Sequence, residues 1–153
     1  MPPEAPPSRS RVRTWLRRVA VVFAVLLVAI QLVPVNRSNP PVEGDNAPPP
    51  EVHAVLKRAC YDCHSHETVW PWYAYVAPAS WLVGRDVREG RKHLNFSRWE
   101  TYEAKRRNRK MMEIEEMVAS KEMPPWFYVP LHAEAKLGDA ERALLSDWAR
   151  SQR

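Results

Sequence analysis

The chain has 153 residues, a formal net charge of +5, 45% hydrophobic residues and two cysteines, which is enough for one small domain and a tail. Arg9, Arg11, Arg13, Arg17 and Arg18 all precede residue 19, against the single acid Glu4. The basic balance is therefore a property of the tail and no sign of a nucleic-acid-binding face on the folded part. Two cysteines three positions apart are also too few for a secreted disulfide scaffold.

Residues 1–18 read as a basic cytosolic tail, Pro-rich over 2–7 and expected to be disordered there. Residues 19–30 are an unbroken apolar run; Gln31 interrupts it and residues 32–35 extend it. Counted over 19–35 the segment is about 26 Å long as a helix, at the lower limit for a bilayer span. Arg17 and Arg18 flank its start, so the positive-inside rule keeps the tail in the cytosol. The expectation is a single transmembrane helix in the cytoplasmic membrane of a bacterium, with the remaining chain on the periplasmic side. A cleaved signal peptide is the competing reading, but no small-x-small site follows Ile30. Residues 36–50 hold Pro40, Pro41, Pro48, Pro49 and Pro50 and read as an extended linker.

The folded domain is expected over 51–153, and its signals are helical. Val52, Val55, Leu56 and Ala59 share one face of a helix over 51–61. A second helix is expected over 78–94. Ser97-Arg98-Trp99-Glu100 has the form of a capping box, which predicts a third helix from Ser97 to Ser120. Pro124-Pro125 stops it. A last helix is expected from Asp139 as N-cap, burying Leu144, Leu145 and Trp148. No stretch alternates as a strand does, so the predicted fold class is all-α.

Cys60-Tyr61-Asp62-Cys63-His64 carries the chemistry. C-x-x-C-H is the attachment signature of c-type haem. Two thiols one helical turn apart point the same way and can add to the two vinyl groups of one porphyrin. His64, directly after the second thiol, can then sit under the iron as proximal ligand. Zinc is a rival, using Cys60, Cys63, His64 and His66, but four ligands within seven residues are sterically awkward. A dithiol redox pair is another, but no βαβ pattern surrounds the motif.

A haem electron carrier needs a sixth ligand. Met123 precedes the Pro pair in a segment that can loop over the cofactor, and its soft thioether favours ferrous iron. His66, His93 and His132 are the alternatives, while Met111, Met112 and Met117 read as packing residues. Trp70, Trp72, Tyr73 and Tyr75 follow the motif and either wall the pocket or pack an ordinary core. The basic run over 105–110 reads as a solvated helix face, or else as a docking patch for an acidic redox partner.

Cys60-Tyr61-Asp62-Cys63-His64, Asn95-Phe96-Ser97-x-Trp99, Glu122-Met123-Pro124-Pro125, Tyr128 and Leu131-His132 together resemble the haem-binding domain family of bacterial cytochrome-like proteins. Gln31, Val33-Pro34 and residues 37–41 are similar to that family's junction between anchor and domain. The resemblance implies a class I cytochrome c-like fold with one covalent haem c; Met123 as distal ligand comes from the wider cytochrome c pattern. The expected function is one-electron transfer outside the cytosol with an unidentified redox partner protein, and no reaction of the protein's own. The alternatives are a haem-based sensor or peroxidase-like protein with a labile sixth position, and a structural zinc-binding domain.

Overall fold

The computed structural model describes residues 9–153; the Pro-rich residues 2–7 and the rest of the first eight residues of the expected basic tail lie outside them. Among the described residues the regular structure is helical, with one isolated parallel bridge between Gly44 and Arg98. The helices are α1 (Arg9–Ile30), α2 (Pro50–Ala59), α3 (Tyr61–His64), α4 (Ala79–His93), α5 (Ala104–Ala119) and α6 (Asp139–Ser151).

No helix among the described residues is long and apolar enough to cross a membrane. The transmembrane anchor over 19–35 is corrected by this, and with it the localisation in the cytoplasmic membrane with a periplasmic domain. The first half of α1 carries the arginines, so its apolar part is residues 19–30, about 18 Å at 1.5 Å per residue. The run does not continue as helix beyond Ile30. Gln31 turns the chain instead: its side-chain amide donates to the carbonyls of Leu27 and Ala77, and its Oε1 accepts the Ala77 N–H. Val35 then packs onto Gly84 of α4, where an added Cβ would lie 2.5 Å from Val35 Cγ1.

The proline-rich segment is extended, as its composition dictates, but it lies along the domain. Arg37 donates to the Ala74 carbonyl, Asn39 to the Thr68 carbonyl, and Glu43 N–H to the Ser97 carbonyl. Arg91 of α4 grips the same strap at Ser38 and Asn39. Asp45 closes it by accepting the Tyr61 hydroxyl at 2.9 Å.

Pro50 stands at the first turn of α2, where a missing N–H is harmless. Val52, Val55, Leu56 and Ala59 then form its buried stripe. They meet Phe96, Trp99 and Tyr102, Met111, Ile114 and Val118 of α5, and Leu145, Trp148 and Ala149 of α6 in one core. The predicted capping box at Ser97 does not start a helix. Ser97 Oγ accepts the His66 N–H at 2.8 Å and Ser97 itself is buried. A short 3-10 turn, Trp99–Thr101, follows, and α5 begins only at Ala104. At α6 it is Gly138 that caps the helix, with its N–H bonded to Glu141 Oε2 at 2.9 Å. Met111 is buried as expected of a packing residue, whereas Met112 is exposed.

Candidate haem-binding site

The C-x-x-C-H motif straddles a break between two helices. α2 stops at Ala59, Cys60 leaves helical geometry at φ −130°, and α3 begins at Tyr61. Cys60 O then accepts the N–H groups of Cys63 and His64, at 3.2 and 2.9 Å. One tight turn thus carries all three residues. Neither cysteine is in a disulfide. Burial pushes both thiols up to about 12, with Cys63 adding to the effect at Cys60, and Asp62 and Asp86 at Cys63. Both are therefore protonated at neutral pH.

His64 is held by α4. Its Nδ1 lies 3.0 Å from the Gly90 carbonyl and 3.1 Å from the Leu94 carbonyl. Carbonyls only accept, so Nδ1 carries the proton and Nε2 keeps its lone pair. Burial holds the ring below its usual pKa, against the pull of the two carbonyl bonds. A neutral imidazole with a fixed tautomer and a free Nε2 is the form that ligates a metal. Gly90 makes this approach possible: a Cβ there would lie 2.4 Å from the Cys63 carbonyl oxygen.

The two intervening residues of the motif, unassigned from sequence, tie it down. Tyr61 is buried and stacks on Phe96 at 5.1 Å. Asp62 accepts the Val69 N–H at 2.8 Å and the Tyr128 hydroxyl at 2.9 Å. The second of these bonds clamps the segment after α5 to the motif.

Cys60, Cys63 and His64 open on a cavity of about 500 Å³, within the roughly 300–1,000 Å³ usual for a cofactor site. Its walls are mostly apolar, from Leu56 and Ala59 of α2, Val83 and Val87 of α4, and Ile114 and Val118 of α5. Met123 lines it from the segment after α5; its N–H bonds the Met117 carbonyl and its own carbonyl accepts from Arg142 at 3.0 Å. Met117, read from sequence as packing, lines the cavity too. Its place in the last turn of α5 gave no signal separate from its neighbours.

The histidines separate cleanly. His66 is off the cavity: Nδ1 donates to the Pro41 carbonyl and Nε2 accepts from Asn95, both at 2.8 Å. His93 and His132 line the wall. His132 is engaged on both sides, Nδ1 donating to the Tyr128 carbonyl at 3.1 Å and Nε2 accepting the Tyr73 hydroxyl at 3.0 Å. Of the four aromatics after the motif, only Tyr73 lines the cavity; Trp72 and Tyr75 face solvent. Among the described residues no group of three or more His, Cys, Asp or Glu could hold a metal ion. The zinc arrangement is thus not assembled, since His66 is turned into the strap. The cavity's size, its apolar walls, the paired thiols and the oriented imidazole fit a haem.

Comparison with known proteins agrees. Over 105 residues, 65% of this chain, the sequence is 30% identical to the cytochrome c peroxidase Ccp of Escherichia coli (strain K12), of whose length the chain spans 22%. No solved structure matches the chain. The model of the haem-binding domain matches residues 25–151, and the chain belongs to that family of haem-binding proteins.

Proposed function

We propose that the haem is of c type, bonded by thioethers to Cys60 and Cys63 in a class I cytochrome c-like fold, and that the protein transfers single electrons. One observation carries the reading: His64, fixed through Nδ1 on two backbone carbonyls, offers Nε2 to the same cavity that both cysteines line. Each thiol adds across a vinyl group, its hydrogen going to the vinyl carbon and its sulfur forming the thioether, with no other reactant. The bound iron supplies the one-electron couple. The chain's own residues do the rest. His64 and Met123, which both line the cavity, would hold the iron, and the apolar walls would keep water from the cofactor.

The test is the full chain produced with a haem-attachment apparatus. Haem should stay with the denatured chain, and the double variant Cys60→Ala/Cys63→Ala should lose it. A haem-containing chain with both thiols free would overturn the covalent reading.

The similarity to a protein named a cytochrome c peroxidase supports a second reading, in which Met123 is displaceable and a hydroperoxide reaches the sixth position. Rapid carbon monoxide binding by the unmutated ferrous protein would favour it over simple electron transfer.

A further inference from the structure

We propose that Lys110 anchors a carboxylate of the bound haem, one of its two propionates. The inference rests on the haem reading above and names a residue that neither the motif nor the family match assigns.

The basic run over 105–110 divides in the structure. Lys105, Arg106, Asn108 and Arg109 are exposed, as a solvated face should be. Lys110 turns the other way: it is 8% exposed and lines the cavity. A buried ammonium is costly unless it is paired and hydrogen-bonded. An ammonium has three N–H donors. Glu113, one turn on, accepts one of them, and no other acceptor among the described residues meets Lys110. Glu113 is itself 43% exposed, so the pair does not need burial on the lysine's side. A solvated ion pair, like the ones Lys92 and Arg109 make with Glu89 and Glu113, would serve a merely structural role equally well.

The position fits the proposed ligand. Thioethers at Cys60 and Cys63 would hold the vinyl side of a haem at the turn between α2 and α3, which would leave its propionates to residues on other elements. Cys60 and Cys63 line the cavity from the turn between α2 and α3, whereas Lys110 and Glu113 line it from α5. Lys110 thus faces the cavity from a different element than the cysteines do, with donors left for an anion. The chemical class it selects is a carboxylate carried by the cofactor.

The experiment compares full-length, haem-loaded wild type with Lys110→Met, Lys110→Arg and Glu113→Gln. The readouts are the midpoint potential and the propionate bending band in the resonance Raman spectrum. Removing a cation from the cofactor's edge disfavours the electron-rich ferrous form. In Lys110→Met the ferrous-to-ferric ratio at fixed applied potential should fall about tenfold, or about 59 mV for a one-electron couple, and the propionate band should move. Lys110→Arg should restore both. Glu113→Gln should raise the potential and leave the band in place. A Lys110→Met protein with covalent haem, unchanged potential and unchanged band would overturn the proposal and leave Lys110 as Glu113's partner only. Should Lys110→Met fail to load haem, a wild-type band at the position of a water-solvated carboxylate overturns it equally. A wild type without covalent haem sinks the underlying reading instead, so the two failures are distinguishable.

Discussion

The two walls of the cavity are held by different means. The wall that carries the motif is built from helices and backbone: α3 lies directly on α4 at Gly90, and His64 is bonded to two main-chain carbonyls. The wall after α5 is built from short turns and side chains. Met123, Tyr128 and His132 belong to a segment whose only regular pieces are two 3-10 turns, Val129–Leu131 and Ala133–Ala135. The bond between the Tyr128 hydroxyl and Asp62 fastens that segment to the motif. Backbone contacts have few ways to rearrange, whereas a side-chain clamp can open. The first wall suits a permanent ligand, and the second a ligand whose bond strength is set by its surroundings.

The harshest way to break this comparison is Gly90→Ala. Helix propensity alone favours Ala by about 1 kcal/mol. The new Cβ, however, would meet the Cys63 carbonyl oxygen at 2.4 Å and its carbon at 3.0 Å. Backbone cannot yield there without moving the whole motif, and such overpacking costs about 1–3 kcal/mol. The variant should melt several degrees lower and load less haem. A Gly90→Ala protein of raised melting temperature and full haem content would show that α3 and α4 are not locked together.

The same contrast explains what could be read in advance. That Cys60, Cys63 and His64 meet at one cavity was legible because they are contiguous: they lie within one turn, and spacing alone implies convergence. The helices of the domain were legible from stripes such as Val52, Val55, Leu56 and Ala59. The start of α5 was not, because Ser97 spends its hydroxyl on His66, a contact between segments that no local pattern announces. The roles of Asp62 and Tyr128 were hidden for the same reason, being two ends of one long-range bond. The apolar run at the N-terminus misled because hydropathy counts residues, while Gln31 and Pro34 end the helix and Val35 folds back onto Gly84. Lys110 was hidden inside a run whose other members behave as composition suggests.

Met123→Ala tests the second wall directly and should act on the iron more than on the fold. With a thioether as sixth ligand, the ferric protein shows a weak far-red charge-transfer band; the variant should lose it. Its ferrous form should bind carbon monoxide quickly, and its potential should fall, because the ligand that favours ferrous iron is gone. An unchanged spectrum and potential would place the sixth ligand elsewhere.

A milder probe is Tyr128→Phe, which keeps the ring and removes the hydroxyl from Asp62. Hydrogen bonds to charged groups contribute about 1.5–3 kcal/mol, and this one is only partly buried, so a loss near about 1.5 kcal/mol is expected. The far-red band should persist, while carbon monoxide competes more readily with Met123 as the clamp loosens. Equal carbon monoxide rates in Tyr128→Phe and wild type would mean that Asp62 does not control the distal segment.

His132→Gln should do least, and it decides between Met123 and His132 as the sixth ligand. The Tyr128 carbonyl can only accept, so His132 Nδ1 carries the proton; the lone pair on Nε2 is then taken by the Tyr73 hydroxyl at 3.0 Å. The ring is also stacked on Tyr128, with centroids 3.8 Å apart. Ligating iron would require His132 to give up the Tyr73 bond, whereas Met123 has no such bond at its sulfur to break. Replacing His132 should therefore leave the far-red band and the potential in place and lower stability by about 0.5–1.5 kcal/mol, the contribution of a typical hydrogen bond. Tyr73→Phe alone should be equally silent at the iron. Combined with Met123→Ala, however, it frees Nε2 beside an open coordination position. The double variant should then show a low-spin spectrum without the far-red band and bind carbon monoxide more slowly than Met123→Ala alone. Loss of the sixth bond in His132→Gln, with Met123 untouched, would instead make His132 the ligand and reverse the assignment.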